Sequence, residues 1–469
     1  MELTFFIDKT LPEPMYIQLY SSFKRTIETG DIPSGSKLPS IRQLSAQLNI
    51  SRNTVEAAYQ QLLAEGYLIS KPKSGLFTAD MADMDLLPYQ KPVHQEQELS
   101  QTGPEIRYDF QYGDISSERF PFQAWKRSIN HALLEKGEEL LLYGDKQGEA
   151  RLRCQLADYL YRARGLECNA DNVILTTGTQ QSISLICQLF SLAGEKIGFE
   201  NPGYDGVRAV FENHGCKIDP ISVKDEGLCV DELEKSNAKI VYVTPSHQFP
   251  LGMVMSIQNR LKLLQWASKE EGYVIEDDYD SEFRYSGQPI PSLKGMDRLG
   301  RVIYLGTFSK AFLPGIRLSY IVLPKSLLGL YRRKFSAYNQ PVSQLIQHAM
   351  SQFIESGDFD RHIKRIRKIY QDKHKTLITS ISSSFGENAK IIGEKAGLHL
   401  LLDIPSQGRE SLIDSAVKKS VLVYDPAKYW TDPESCPSNL VLLGFGGLSR
   451  SEIEAGVELL KQAWFPGSD

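Results

Sequence analysis

RVIYLGTFSKAFLPGIRLSY, residues 301–320, runs from a β-rich stretch into a short loop holding Thr307, Ser309 and Lys310, with Arg317 a little further on. A lysine that forms a Schiff base needs such a loop after a strand, with hydroxyls and a cation close by to hold a phosphate dianion. Taken alone the pattern is not distinctive, because lysines and arginines ordinarily lie on solvated surfaces. Its meaning depends on what surrounds it.

Working outward, GYVIEDDYDSEF (272–283) places Asp277 and Tyr279 just past a second apolar run. A pyridine ring that serves as an electron sink must keep its nitrogen protonated, which asks for an acidic partner, and a phenol two residues on can donate to a neighbouring ring oxygen. ILTTGTQQSISLICQLF (174–190) is a strand, a glycine turn and an apolar helix. The backbone at Gly178, Thr179 and Gln180, with the Thr179 hydroxyl, makes an anion site at that helix start. FENPGYDGVRAV (199–210) offers Tyr204 as a flat partner for a ring, and TPSHQFPLG (244–252) brings His247 and Gln248 to a turn. Each piece is compatible with plain loop structure, but their order and the functions they jointly complete, a Schiff-base lysine, an acid for a ring nitrogen and a phosphate cradle, are those that a pyridoxal 5'-phosphate (PLP) site asks for.

The fold follows from the spacing. Short β-rich runs (NVILTTG, KIVYVTP, GYVIEDD, RVIYLGT) alternate with helical stretches, the signature of an α/β unit with a mostly parallel sheet covered on both faces. Residues before about position 79 obey another grammar. PMYIQLYSSFKRTIETG carries Ile17, Tyr20, Phe23 and Ile27 at helical spacing and stops at Gly30. LPSIRQLSAQLNI follows, with Ser40 as a cap and Ile41, Leu44 and Leu48 as its apolar face. SRNTVEAAYQQLLAEGYLI opens on Ser51 and buries Val55, Ala58, Tyr59 and Leu62. Two short helices joined at Asn49-Ile50 form a helix-turn-helix. Arg52, Asn53 and Thr54 sit where a recognition helix enters a major groove, and Arg42 suits a phosphate. YLISKPKSGLFTA then reads as a two-stranded wing whose Lys71 and Lys73 can lie along a DNA backbone.

The expected domains are a winged helix DNA-binding unit (1–79), a linker (80–106) rich in Gln, Pro and acidic residues that reads as a tether, and a PLP-binding effector unit (107–469). The net charge of −5 argues against a chain that coats nucleic acid generally, so DNA contact must come from a local patch. Six scattered cysteines without a C-x-x-C pair point to free thiols rather than to disulfides or a metal site. No apolar run approaches membrane-spanning length and no signal peptide opens the chain, so the cytoplasm is the expected location.

LPSIRQLSAQLNISRNTVEAAYQQLLAEGYL closely resembles the GntR-type winged helix, and residues from about Tyr108 to Trp464 resemble a class I/II aminotransferase of fold type I. The fusion of the two is similar to the MocR/GabR family of transcription regulators. That resemblance implies DNA contact by Ser40, Arg42, Ser51, Arg52, Asn53, Thr54 and the wing. It also implies roles in the cofactor site: Lys310 as the Schiff-base lysine, Asp277 as the pyridine-nitrogen partner, Tyr279 at the 3'-oxygen, and Tyr204 stacked on the ring. Thr179, Thr307, Ser309 and Arg317 would hold the phosphate, and His247 would lie near the cofactor.

One departure stands out. Aminotransferases carry an arginine near the C-terminus for the substrate carboxylate, whereas NLVLLGFGGLSR has Gly446, Gly447 and Leu448 there, and Arg450 is the first cation. The expected function is therefore a PLP-dependent regulator that senses a small amine, an amino acid or PLP itself, with at most residual transamination. It would act as a homodimer on operator DNA. The alternative is a working aminotransferase with an accessory N-terminal unit.

Overall fold

A computed structural model describes residues 7, 8, 10–80, 105–285 and 291–466. The chain divides into two units, residues 1–101 and 102–469. The expected tether, residues 80–106, falls largely on residues 81–104, which lie outside the described residues.

The first unit packs α1 (Met15–Glu28), α2 (Ile41–Leu48) and α3 (Arg52–Ala64) around one apolar cluster, followed by the hairpin β1 (Leu68–Lys71) and β2 (Gly75–Thr78). Ser40 accepts the Gln43 amide and Gln43 answers it, a reciprocal cap that fixes where α2 begins. Asn49, at φ 50, takes the left-handed turn that ends α2, a conformation asparagine tolerates better than most residues. Ser51 caps α3 by accepting the Thr54 amide. The α1 stripe is rotated from the expected one: Leu19, Phe23 and Ile27 are buried, while Ile17 and Tyr20 are only half-buried. The Tyr20 hydroxyl explains the rotation, because it stays at the rim and donates to Glu65.

The second unit opens on the two-residue strand β3 (Tyr108–Asp109) and is built on an eight-stranded sheet. Its strands are β4 (Val173–Thr176), β5 (Lys196–Asn201), β6 (Lys217–Lys224), β7 (Gly227–Leu228), β8 (Ile240–Val243), β9 (Tyr273–Asp278), β10 (Val302–Thr307) and β11 (Ser319–Val322), in the order β4-β11-β10-β9-β8-β5-β6-β7. Only β11 and β7 run against the rest. Strands β8, β9 and β10 are buried almost throughout, which is why they read as continuous apolar runs rather than as alternations. Helices α4 (Phe122–Lys136) and α5 (Ala150–Arg164) precede β4 in the chain, and α6 (Thr179–Phe190) follows it. A smaller antiparallel sheet of Lys390–Ile392, His399–Asp403 and Leu440–Gly444 packs beside the 28-residue helix Asp358–Phe385. The parallel strands β4, β8, β9 and β10 all end at one edge of the main sheet, where sites in such folds form.

Candidate cofactor cavity and DNA-facing helix

A cavity of about 260 Å³ opens at that edge. Lys310, Asp277, Tyr279, Tyr204, Gly178, Thr179, Gln180, Thr307, Ser309 and Arg317 all line it, although they come from separate segments of the chain.

At one end, α6 starts at Gly178 with no side-chain cap, so its first amides are left for a ligand. Gly178 stands at φ 140, and a Cβ there would come 2.5 Å from Arg317 Nη2. Only a bare backbone lets the guanidinium close over the helix start. Ser319 Oγ lies 2.8 Å from Thr307 Oγ1, which in turn lies 3.1 Å from Ser309 Oγ, so a cluster of hydroxyls faces the same end. Amides, hydroxyls and a cation together suit a phosphate dianion.

At the other end, Asp277 is 4% exposed and one of its oxygens accepts from the Tyr242 hydroxyl at 2.6 Å. Its Oδ1 finds no hydrogen-bond partner among the described residues. Burial pushes this carboxyl up to about 7, against the opposing Tyr242 hydrogen bond. An unsatisfied buried acceptor facing the cavity fits a protonated ring nitrogen, so the residues present fit PLP. Lys310 Nζ lies 4.2 Å from the centre of the Tyr112 ring. Burial pulls its amine down to about 8, with Asp280 and Asp114 pulling the other way, so a reactive free-base fraction exists near neutral pH.

His247 requires a correction. It does not line this cavity: it lies behind Tyr279, with Nδ1 2.8 Å from Asp280 Oδ2, because the TPSHQFPLG turn folds the imidazole toward the carboxylate. Gln248 is also buried away from the cavity wall, donating to the carbonyls of Pro202 and Phe249.

Sequence reasoning missed Tyr112, Gly113, Tyr242, Thr244, Phe249 and Pro314, which complete the lining. Two of them left a trace. A tyrosine within the apolar run KIVYVTP needs a partner for its hydroxyl, and Asp277 supplies it. The run F-P-L-G follows His247 and Gln248 directly and puts Phe249, an apolar ring, at the cavity wall. Arg450 opens the helix Arg450–Trp464, is exposed, and does not line the cavity.

In the first unit, Ser40, Arg42, Ser51, Arg52, Asn53, Lys71 and Lys73 lie at the surface and Thr54 is half-buried. The Ser51 and Thr54 hydroxyls bond each other at 2.8 Å, so the helix cap engages both, while Arg52 and Asn53 project from the first turn. Lys71 lies over the Phe77 ring at 4.6 Å, and Lys73 occupies the hairpin turn at φ 61.

Comparison with known proteins agrees with both halves. Residues 15–78 match the gntR family of bacterial regulatory proteins, and residues 109–438 match the class I and II aminotransferases. The chain is 43% identical over 470 residues to the "Uncharacterized HTH-type transcriptional regulator YdeL" of Bacillus subtilis (strain 168), covering 99% of this chain and 100% of that one. It is 30% identical over 473 residues to the "Probable rhizopine catabolism regulatory protein MocR" of Rhizobium meliloti, covering 98% and 95%. Among solved structures, the α-aminoadipate aminotransferase LysN of Thermus thermophilus, complexed with N-(5'-phosphopyridoxyl)-L-leucine, superposes with a TM-score of 0.69 at 27% identity, covering 76% of this chain and 92% of that one. No described helix is long and apolar enough to cross a membrane. A gntR-type helix-turn-helix joined in one chain to an aminotransferase-type, PLP-binding unit makes this protein a member of the MocR family of DNA-binding transcription regulators.

Proposed function

We propose that this regulator works as a cytoplasmic homodimer whose response to a small amine, an amino acid or PLP itself is set at Lys310. The observation that carries the proposal is the pairing, in one cavity, of the Lys310 amine with an orphaned Asp277 oxygen and an open helix start facing Arg317. When bound, PLP supplies an aldehyde that condenses with primary amines and a ring that withdraws electrons. The chain's own groups do the rest. Asp277 holds a proton at the ring nitrogen, Tyr204 packs on the ring face, Tyr279 donates to the 3'-oxygen, and the Thr179, Thr307, Ser309 and Arg317 cluster neutralises the phosphate. Arg52 and Asn53 read base edges, while Arg42 and the wing lysines contact phosphates.

A signal requires that the ligand bind one state of the regulator better than another. An incoming amine that takes the place of the Lys310 amine supplies such a difference. The homodimer is supported by an apolar surface on and after α4: Leu134 is 87% exposed, Leu141 84% and Tyr143 88%. A patch of that kind marks an interface rather than a wetted face. A winged helix reading paired half-sites also calls for two copies.

A gel-shift assay tests the proposal, using a promoter fragment from the gene's own neighbourhood at physiological salt, with and without PLP and candidate amines. Sequence-specific retardation that changes with the amine is expected; an identical response with Lys310→Ala would refute sensing through the lysine. Multiple turnovers of an amino acid and a keto acid would favour the aminotransferase reading instead.

A further inference from the structure

His247 stands one layer behind the cavity, and its surroundings assign it a task other than touching the cofactor. It and Asp280 are 2% and 4% exposed, with Nδ1 2.8 Å from Asp280 Oδ2. A carboxylate only accepts, so Nδ1 carries the hydrogen. The Tyr279 hydroxyl lies 3.0 Å from both that nitrogen and the His247 carbonyl oxygen; it donates to the carbonyl here and would turn that hydrogen to the 3'-oxygen when PLP is bound. His247 Nε2 meets no partner among the described residues, which fits the Nδ1–H tautomer. A cavity of about 20 Å³ beside it, bounded by Ser246, Arg164 and Arg284 among others, has room for a single water.

The opposite side is sealed. Gly397 sits at φ 80, and a side chain there would collide with the His247 ring and stand 2.8 Å from Asp280 Oδ2. Its carbonyl accepts from the Tyr285 hydroxyl at 2.7 Å, which holds that backbone in place. The charge on Asp280 reaches forward as well: it is the main influence opposing the effect of burial on the Lys310 amine.

We propose that Asp280 and His247 are positioning residues for the cofactor site, fixing the Tyr279 hydroxyl on the cavity wall and keeping a buried carboxylate directly behind it. This rests on the reading of the cavity as the PLP site. The pair is not alone in its field. From the cavity side it faces Lys310, Tyr112, Asp114, Asp277 and Tyr279. From the small sheet and the long helix it faces His399 and His374, and from the rear Tyr285, Arg164 and Arg284. Of these, Asp114 is exposed and screened by solvent, whereas Asp280 is buried and its charge is screened less.

The test is a pH titration of the visible absorbance of full-length, PLP-loaded protein. Asp280→Asn should move the midpoint to lower pH by at least about threefold in the protonation constant, since a negative charge that favours the protonated form is gone. Asp280→Glu should stay within about twofold of the native protein. As a second route, Gly397→Ala and Tyr279→Phe should each shift the absorbance maximum, and the double variant should shift it no further than the larger single change, because both act through one hydroxyl. An Asp280→Asn protein that loads PLP and titrates at the native midpoint would overturn the proposal. So would additive shifts in the double variant, a comparison that stands even where Asp280→Asn fails to fold. A native protein that shows no visible band with PLP would instead sink the underlying assignment of the cavity.

Discussion

Gly178→Ala tests the phosphate end of the cavity with one methyl group. The new Cβ would sit 2.5 Å from Arg317 Nη2, nearer than carbon and nitrogen approach without displacement. Because the guanidinium is the far end of a long, flexible side chain, it is the partner that gives way. Losing a charge-assisted contact to phosphate weakens binding by about 2 kcal/mol, or about 30-fold in Kd for PLP. The backbone also bears a cost, since φ 140 suits glycine and strains alanine by about 1–3 kcal/mol. That strain is present with and without PLP, so it lowers Tm and leaves Kd alone. Titrating apo protein with PLP by absorbance separates the two effects, with thermal melting run alongside. A variant with the expected loss of Tm but a Kd within about threefold of native would refute the assignment of Arg317 to the phosphate.

Four further outcomes follow from the same geometry. Burial raises the Asp277 carboxyl from its ordinary value to about 7 in the empty cavity, so the apo protein loses stability as pH rises from about 4 through 7. Asp277→Asn should thus raise the apo Tm at pH 8 but not at pH 4 while weakening PLP binding, and an unchanged Tm difference across that range would contradict the buried-acid argument. Ser51→Ala removes the cap of α3 and should cost the first unit about 1 kcal/mol, measured by denaturant melting. Arg52→Ala should weaken operator binding by about 1–3 kcal/mol and relax preference at one base pair, whereas a uniform loss on all sequences would mark Arg52 as a phosphate contact. Leu141→Asp, at a side chain 84% exposed, should leave the fold intact and shift sedimentation toward the monomer; an unshifted dimer would place the interface elsewhere.

The first unit was almost wholly legible because its signals are local: caps at Ser40 and Ser51, a left-handed Asn49, and apolar residues at helical spacing. The α1 stripe was misread by about one position because Tyr20 counts as apolar in a pattern, yet keeps its hydroxyl at the rim with Glu65. In the second unit, strands β4, β8, β9 and β10 announced themselves as apolar runs, and their carboxyl ends gave Asp277 within β9, Lys310 in the loop after β10 and Thr179 at the start of α6. Tyr112 and Gly113 gave no such signal. They follow the two-residue strand Tyr108–Asp109 and meet Lys310 only through the tertiary fold. The loop position of His247 suggests the cofactor, but the carboxylate that claims it, Asp280, is brought to it from just past β9, a relation that spacing along the chain does not encode.

Lys310 and Arg317 share a single connection, the residues between β10 and β11, and β11 doubles back against β10 so that both ends are clipped into the sheet. Arg317 itself sits in a left-handed kink at φ 50, which shortens the loop's slack further. The anchor and the phosphate clamp are thus two beads on one tight hoop. The spacing between the amine and the guanidinium is therefore set by the strand pair that holds both ends of the loop.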